Sequence, residues 1–271
     1  MAELNELEVF LNETYKFENF DDYCVNGLVV EGKRKIEKMG FGVSFNAPFL
    51  ERSINAGCDA VLVHHGIFQK RFFTLKGIEK NKVKKLLNKD ISLFGIHLPM
   101  DAHPQIGHNA LLMKSIGAEI TEPLKWGFFG KNKEGKSIKS IIDIFHKFLH
   151  PEDFTLNTSE TEKVPDGLNE FNLRYRSGFM LLENGPEVPD NIFIASGGST
   201  DLYEEAVAMG ADTFICGEIK EHIPAISLET GTNFINLGHY YSERPGITAL
   251  MNLVEEKFNV ETEFIEVPNL I

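Results

Sequence analysis

Apolar and polar positions along this chain alternate in two rhythms that change places every ten to fifteen residues. MAELNELEVFLNETYKF at the start has the three-to-four spacing of an amphipathic helix. From Lys38 to His65 the pattern predicts a strand (MGFGVSF), a helix (NAPFLERSINAG) and a second strand (CDAVLVHH), with Asn46 as the helix N-cap and Gly57 as its stop. The same grammar returns from Asn191 to Glu218 as NIFIASGG, STDLYEEAVAMG and ADTFICGE. NAGCDAVLVHH, beginning at Asn55, sits over AMGADTFICGE, beginning one residue before Met209, an offset of 153 positions. Each copy continues with a helix and a third strand: IEKNKVKKLLNKD then LFGIHLPMD, and EIKEHIPAISLETG then FINLGHYYSE.

Strands alternating with helices of this length predict an α/β fold of two pseudo-symmetric lobes, with mostly parallel sheets flanked by helices. The lobes are expected at residues 1–125 and 126–271. The last alternating segment, NVETEFIEVPNL, is one more strand that fits either lobe. Between Lys125 and Pro189 the pattern predicts a helix over 136–149 followed by a charged, turn-rich stretch whose strands it does not place.

Composition narrows the function. The 271 residues carry 27 basic and 40 acidic side chains, a formal charge of −13, so the average surface repels nucleic acid and anionic membranes. Nucleic acid binding would have to be local; Arg71, Lys82, Lys84 and Lys85 are the candidates, and a solvated helix face accounts for them better. Cys24, Cys58 and Cys216 are odd in number and widely spaced, which argues against a disulfide framework or a zinc ribbon. With no apolar leader and no membrane-length run, a cytoplasmic location is expected.

The chemistry-bearing residues gather where strands end, the usual place for functional groups in open α/β sheets. His64 and His65 end one strand, and His97 with Asp101 follows the next. In the second copy Glu218 stands where the histidine pair stood, and His239 with Glu243 answers His97 with Asp101. His239 and Glu243 share a face if a helix begins near Ser242, or lie within reach of each other across its first turn. Imidazole and carboxylate donors without thiolate suit zinc, iron, manganese, nickel or cobalt, and so many ligands suit two ions better than one. Asp101 as a turn cap and Glu243 as a first-turn carboxylate are the competing structural readings. His103, His108, His146 and His150 lie away from strand ends and are read as surface or structural residues. Gly197-Gly198-Ser199-Thr200 would serve as a phosphate cradle or as a plain turn with an N-cap. No dinucleotide fingerprint, P-loop lysine or nucleophile elbow is present.

NGLVVEG (26–32), AVLVHHGIF (60–68), GIHLPMDAHPQIGHNALL (95–112), GADTFICGEIKEH (210–222) and INLGHYYSERPGITAL (235–250) together resemble the Nif-three-like family, NGG-one-interacting factor three, whose members are often labelled GTP cyclohydrolase I type 2 homologues. The resemblance implies a dinuclear metal centre in a cleft between two α/β lobes, and a homo-oligomer in the form of a hexameric ring. Its ligand pattern falls on His64, His65, Asp101, His239 and Glu243. His97 matches the histidine of an H-x-x-x-D motif beside the metals, and Glu218 and His222 match a G-[DE]-x-x-x-H pattern. The expected function is metal-dependent hydrolysis of a nucleotide-like or heterocyclic small molecule. Two divalent ions would activate water, and His97, Glu218 or His222 would move the proton. A ring-shaped, metal-stabilised binding or regulatory protein without catalysis is the alternative.

Overall fold

The computed structural model describes residues 1–70, 74–150, 162–163 and 169–269; Arg71 lies outside the described residues. The chain divides into two compact units, Met1–Ile106 with Gly246–Pro268, and Gly107–Pro245 with Asn269–Ile271.

In the first unit a five-stranded sheet runs in the order Glu261–Phe264, Lys38–Ser44, Ala60–His65, Ser92–Gly95, Gly27–Val30. The first four are parallel neighbours, and Gly27–Val30 closes the edge antiparallel to Ser92–Gly95, so the C-terminal strand joins this sheet. Strand alternation explains why both faces are apolar. Met39, Phe41, Ala60, Leu62 and Phe94 meet Leu7 and Leu11 of the N-terminal helix Leu4–Tyr15 and Ile247, Leu250 and Val254 of the helix Pro245–Phe258. Val61, Val63 and Leu93 meet Phe49 and Leu50 of Ala47–Asn55 and Val83 and Leu86 of Gly77–Lys89 on the other face. Asn46 caps Ala47–Asn55 as expected, its side chain accepting from Phe49 N at 2.9 Å. Lys82 and Lys85 pair with Glu79 and Glu51, as a solvated helix face would.

The second unit is built on an eight-stranded sheet in the order Glu119–Leu124, Gly127–Lys131, Asn191–Ile194, Thr213–Cys216, Asn233–Asn236, Phe179–Leu182, Leu173–Arg176, Glu162–Lys163. The three middle strands from Asn191 to Asn236 are parallel, the counterpart of the first unit's central trio. Antiparallel strands extend it on both sides, and they come from the region between the two repeats. Phe129, Phe193, Phe214 and Phe234 are direct cross-strand partners, forming a four-strand ladder on one face. Ring centroids 4.9–5.7 Å apart along the ladder make it an aromatic seam, which Tyr203 extends against Phe214 at 5.2 Å. The opposite face is aliphatic: Ile192, Ile194, Ile215 and Ile235 pack under Ile141, Ile142 and Phe145 of the helix Ile138–Leu149. No helix among the described residues is long and apolar enough to cross a membrane.

At the amino ends of the first unit's strands, Asp59 accepts hydrogen bonds from Lys33 Nζ and from the backbone N–H groups of Glu37 (2.9 Å) and Lys38 (3.3 Å). Burial alone would raise its pKa, but these bonds and the Lys33 charge overcome it and hold the carboxyl below its usual value. A depressed carboxyl stabilises the fold above its unfolded pKa and ceases to do so as pH falls through its folded pKa. Asp59→Ala is therefore expected to cost on the order of 2 kcal/mol at neutral pH. In denaturant titrations the difference from wild type should hold above about pH 4 and shrink below it.

Candidate metal centre

In each unit the parallel trio delivers its polar residues at the carboxyl ends of the strands. The first unit brings His64, His65, His97 and Asp101 together. One ring nitrogen from each of the three histidines lies within 4.8 Å of the others, and ring centroids are 4.6 Å (His64–His65), 5.0 Å (His64–His97) and 5.7 Å (His65–His97) apart. Asp101, at the end of the helical turn Leu98–Asp101, places Oδ2 3.6 Å from His64 Nε2. His64 is 1% exposed and Asp101 4%, so neither is a surface residue.

The other ring nitrogens are fixed from behind. His64 Nδ1 is 2.9 Å from the carbonyl oxygen of Ile96, which only accepts, so Nδ1 carries a proton and Nε2 faces Asp101. His97 Nδ1 donates in the same way to Asp22 Oδ1 at 2.9 Å, and His65 Nδ1 meets Ser44 Oγ at 3.0 Å. Imidazoles oriented through Nδ1 with Nε2 turned forward are the arrangement metal-ligating histidines adopt.

Asp22 is the residue the sequence did not reveal. It lies 75 positions from His97 in a turn with no motif around it. It is 1% exposed, and its two oxygens accept four bonds: Cys24 N and His97 Nδ1 on Oδ1, Asn26 Nδ2 and Leu98 N on Oδ2. Burial opposes ionisation, yet the bonds from His97, Asn26 and Cys24 and the nearby imidazole hold the carboxyl at about 2. Asn26 Oδ1 accepts from His97 N at 2.7 Å, so one turn positions both the ring and the backbone of His97. Cys24 stands beside this carboxylate, where burial first and the charge of Asp22 next push its thiol up to about 11. With Asp22 and His97 it forms one of the groups that could hold a metal ion.

The second unit brings Glu218, His239 and Glu243 together. His239 opens a single helical turn, His239–Ser242, and the long helix starts only at Pro245. Glu243 thus lies between two helices rather than within one begun near Ser242, and its Oε1 is 3.1 Å from His239 Nε2. Glu218 Oε1 pairs with His239 Nδ1 from the other side. Burial works against a charged His239 ring, but the bond and charge of Glu243, and then those of Glu218, outweigh it and lift its pKa to about 9. His222 is exposed at the start of the helix Ile223–Thr230 and joins none of the possible metal-ligand groups among the described residues.

The glycines that suggested a phosphate cradle have another use. Gly197 sits at φ +61°, and a Cβ there would lie 2.0 Å from Glu243 Oε1 and 3.1 Å from His239 Nε2. Its N–H donates to Ser242 Oγ at 3.0 Å, and its carbonyl accepts from Gly217 N at 2.9 Å. Backbone rather than side chain packs against the His239–Glu243 pair, which only glycine permits. Buried nitrogen and carboxylate donors, with ring tautomers set by acceptors behind them, fit a divalent transition metal.

Comparison with known proteins places these features in a family. Residues 2–269 match Duf34/NIF3 (NGG1p interacting factor 3). The chain is 34% identical over 268 residues to a Haemophilus influenzae protein named GTP cyclohydrolase 1 type 2 homolog, covering 97% of this chain and 98% of that one. Its identity to the Escherichia coli K12 protein of the same name is also 34%, over 269 residues, with coverage of 97% and 98%. Among solved structures, protein ybgI, described as of unknown function, superimposes with a TM-score of 0.83 at 30% identity over 100% of both chains. TTHA1606 from Thermus thermophilus gives 0.81 at 25% identity over 99% of both. The match runs nearly from end to end and takes in both sets of residues, and the chain belongs to the Duf34/NIF3 family.

Proposed function

We propose that this chain is a divalent-metal-dependent hydrolase acting on a nucleotide-like or heterocyclic small molecule. In this reading His64, His65 and Asp101 of the first unit and His239 and Glu243 of the second are ligands for two transition-metal ions. The observation that carries it is the convergence of the His64, His65 and His97 ring nitrogens within 4.8 Å, with His64 oriented through Nδ1 by the carbonyl of Ile96 and Asp101 beside its Nε2. The name GTP cyclohydrolase 1 type 2 homolog, borne by relatives at 34% identity, supports a heterocyclic substrate. The thiol-free donor set favours zinc, iron, manganese or nickel.

Ions held there would supply Lewis-acid polarisation and bring the pKa of bound water toward neutrality. The chain's own residues do the rest. His97 is oriented through Nδ1 by Asp22, and one of its ring nitrogens lies within 4.8 Å of those of His64 and His65. Glu218, half exposed and in contact with His239 Nδ1, is the group we assign to proton transfer ahead of His97 and His222. The protein is further proposed to assemble as a closed homo-oligomer, a ring of six, as the family resemblance implies.

Protein purified without added metal should contain divalent transition metal by mass spectrometry. His65→Ala should lose most of it while the circular dichroism spectrum is retained, because His65 sits at a strand end on a preformed scaffold; unchanged content would remove the ligand assignment. Hydrolysis of heterocyclic substrates should stop with a chelator and return with metal, and Glu218→Gln should slow it by about 10²–10⁴ with metal retained. Light scattering should report a hexamer, and a monomer at micromolar concentration would reject the ring.

A further inference from the structure

Within the second unit, Glu218 stands on a peptide that is gripped from behind. Its carbonyl oxygen accepts two side-chain bonds, from Thr200 Oγ1 at 2.8 Å and from Cys216 Sγ at 2.8 Å. Both donors are buried, Thr200 at 2% and Cys216 at 1% exposed, and they lie 3.9 Å apart. They arrive from different elements. Cys216 closes the strand Thr213–Cys216, and Thr200 belongs to the short helical turn Ser199–Leu202 that follows the Gly197 loop. Burial pushes the Cys216 thiol up to about 12, so it stays protonated and donates.

The neighbouring peptide is held too. Gly217 N–H donates to Gly197 O at 2.9 Å, and a Cβ on Gly217 would lie 2.7 Å from both His239 Cα and Ser242 Oγ. Only a glycine lets the chain pass this close to His239. The Glu218 carboxylate is confined at its other end: Oε1 pairs with His239 Nδ1, and Oε2 lies 3.3 Å from where a Cβ on Gly198 would be. Glu218 is past the end of its strand, where water would serve a carbonyl as well as protein does. Two buried side chains on that one oxygen therefore do more than satisfy it.

We propose that Thr200 and Cys216 are positioning residues for Glu218, which fix its peptide so that the half-exposed carboxylate meets His239 without reorganising when a proton moves. Thr200, which the sequence offered as part of a phosphate cradle or a plain turn, spends its hydroxyl on this carbonyl. The consequence for the reaction rests on the hydrolase reading above; the anchoring of the peptide does not.

Thr200→Val keeps the shape of the side chain and removes its hydroxyl, whereas Thr200→Ser keeps the hydroxyl. Amide hydrogen exchange, followed by NMR on the full chain before and after chelation, should show Gly217 N–H exchanging about ten-fold faster in Thr200→Val and within about two-fold of wild type in Thr200→Ser. Amides of the strand Lys38–Ser44 in the other unit should stay within about two-fold in both variants. With a purine nucleoside triphosphate as probe, Thr200→Val should lower kcat about ten-fold and leave KM within about two-fold. It should slow Glu218→Gln no further, since a residue that acts through Glu218 then has nothing left to position. Cys216→Ala set against Cys216→Ser repeats the comparison if Thr200→Val fails to fold. Unchanged exchange at Gly217 in Thr200→Val, or equal rate losses from Thr200→Val with and without Glu218→Gln, would overturn the proposal. Faster exchange with rescue by serine, in a protein that shows no turnover or in which Glu218→Gln is as fast as wild type, would remove the proton-transfer assignment and leave the anchor standing.

Discussion

Parallel pairing of three central strands in each unit is the constraint on which the rest depends. Such strands are covered on both faces, so side chains along their length must be apolar whichever way they point. Val61, Leu62 and Val63 are all fully buried, as are Phe214, Ile215 and Cys216. Polar chemistry is thereby pushed past the strand ends. His64–His65 close the strand Ala60–His65 itself, and short loops carry His97–Asp101, Glu218 and His239–Glu243 just beyond theirs, on strands that cannot shift register without exposing an apolar face.

This is also why much of the molecule was legible in the sequence. A continuous apolar run that meets a histidine pair is a local signal, and the duplication repeats the run with Glu218 in the pair's place. The N-terminal helix, the capped helix after Asn46 and the C-terminal strand all declared themselves by periodicity. The strands at 119–124 and 173–176 did not. Glu119–Leu124 is exposed at every position but Leu124, and Leu173–Arg176 carries two arginines that pair with Glu183 and Asp143. These strands are held by antiparallel neighbours rather than by a buried pattern of their own.

The residues that orient the site were hidden for a different reason. Asp22 and Ser44 have no motif, and Asn26 opens the NGLVVEG block without any mark of its use, because their role is to accept or donate one bond to a histidine that is distant in sequence. Only the folded chain shows that His97 is clamped at ring and backbone by a single turn. Gly197 was visible as a glycine, but the sequence carries no trace of the carboxylate that forbids it a side chain.

The phenylalanine ladder across Phe129, Phe193, Phe214 and Phe234 separates two kinds of evolutionary freedom. It concentrates aromatic area on strands that also present the loops of the His239 set, so the scaffold's stability is vested in fully buried residues. Loops suspended from so rigid a seam can exchange residues, and with them substrate or metal preference, while the fold persists. A family built this way would diversify in chemistry faster than in shape.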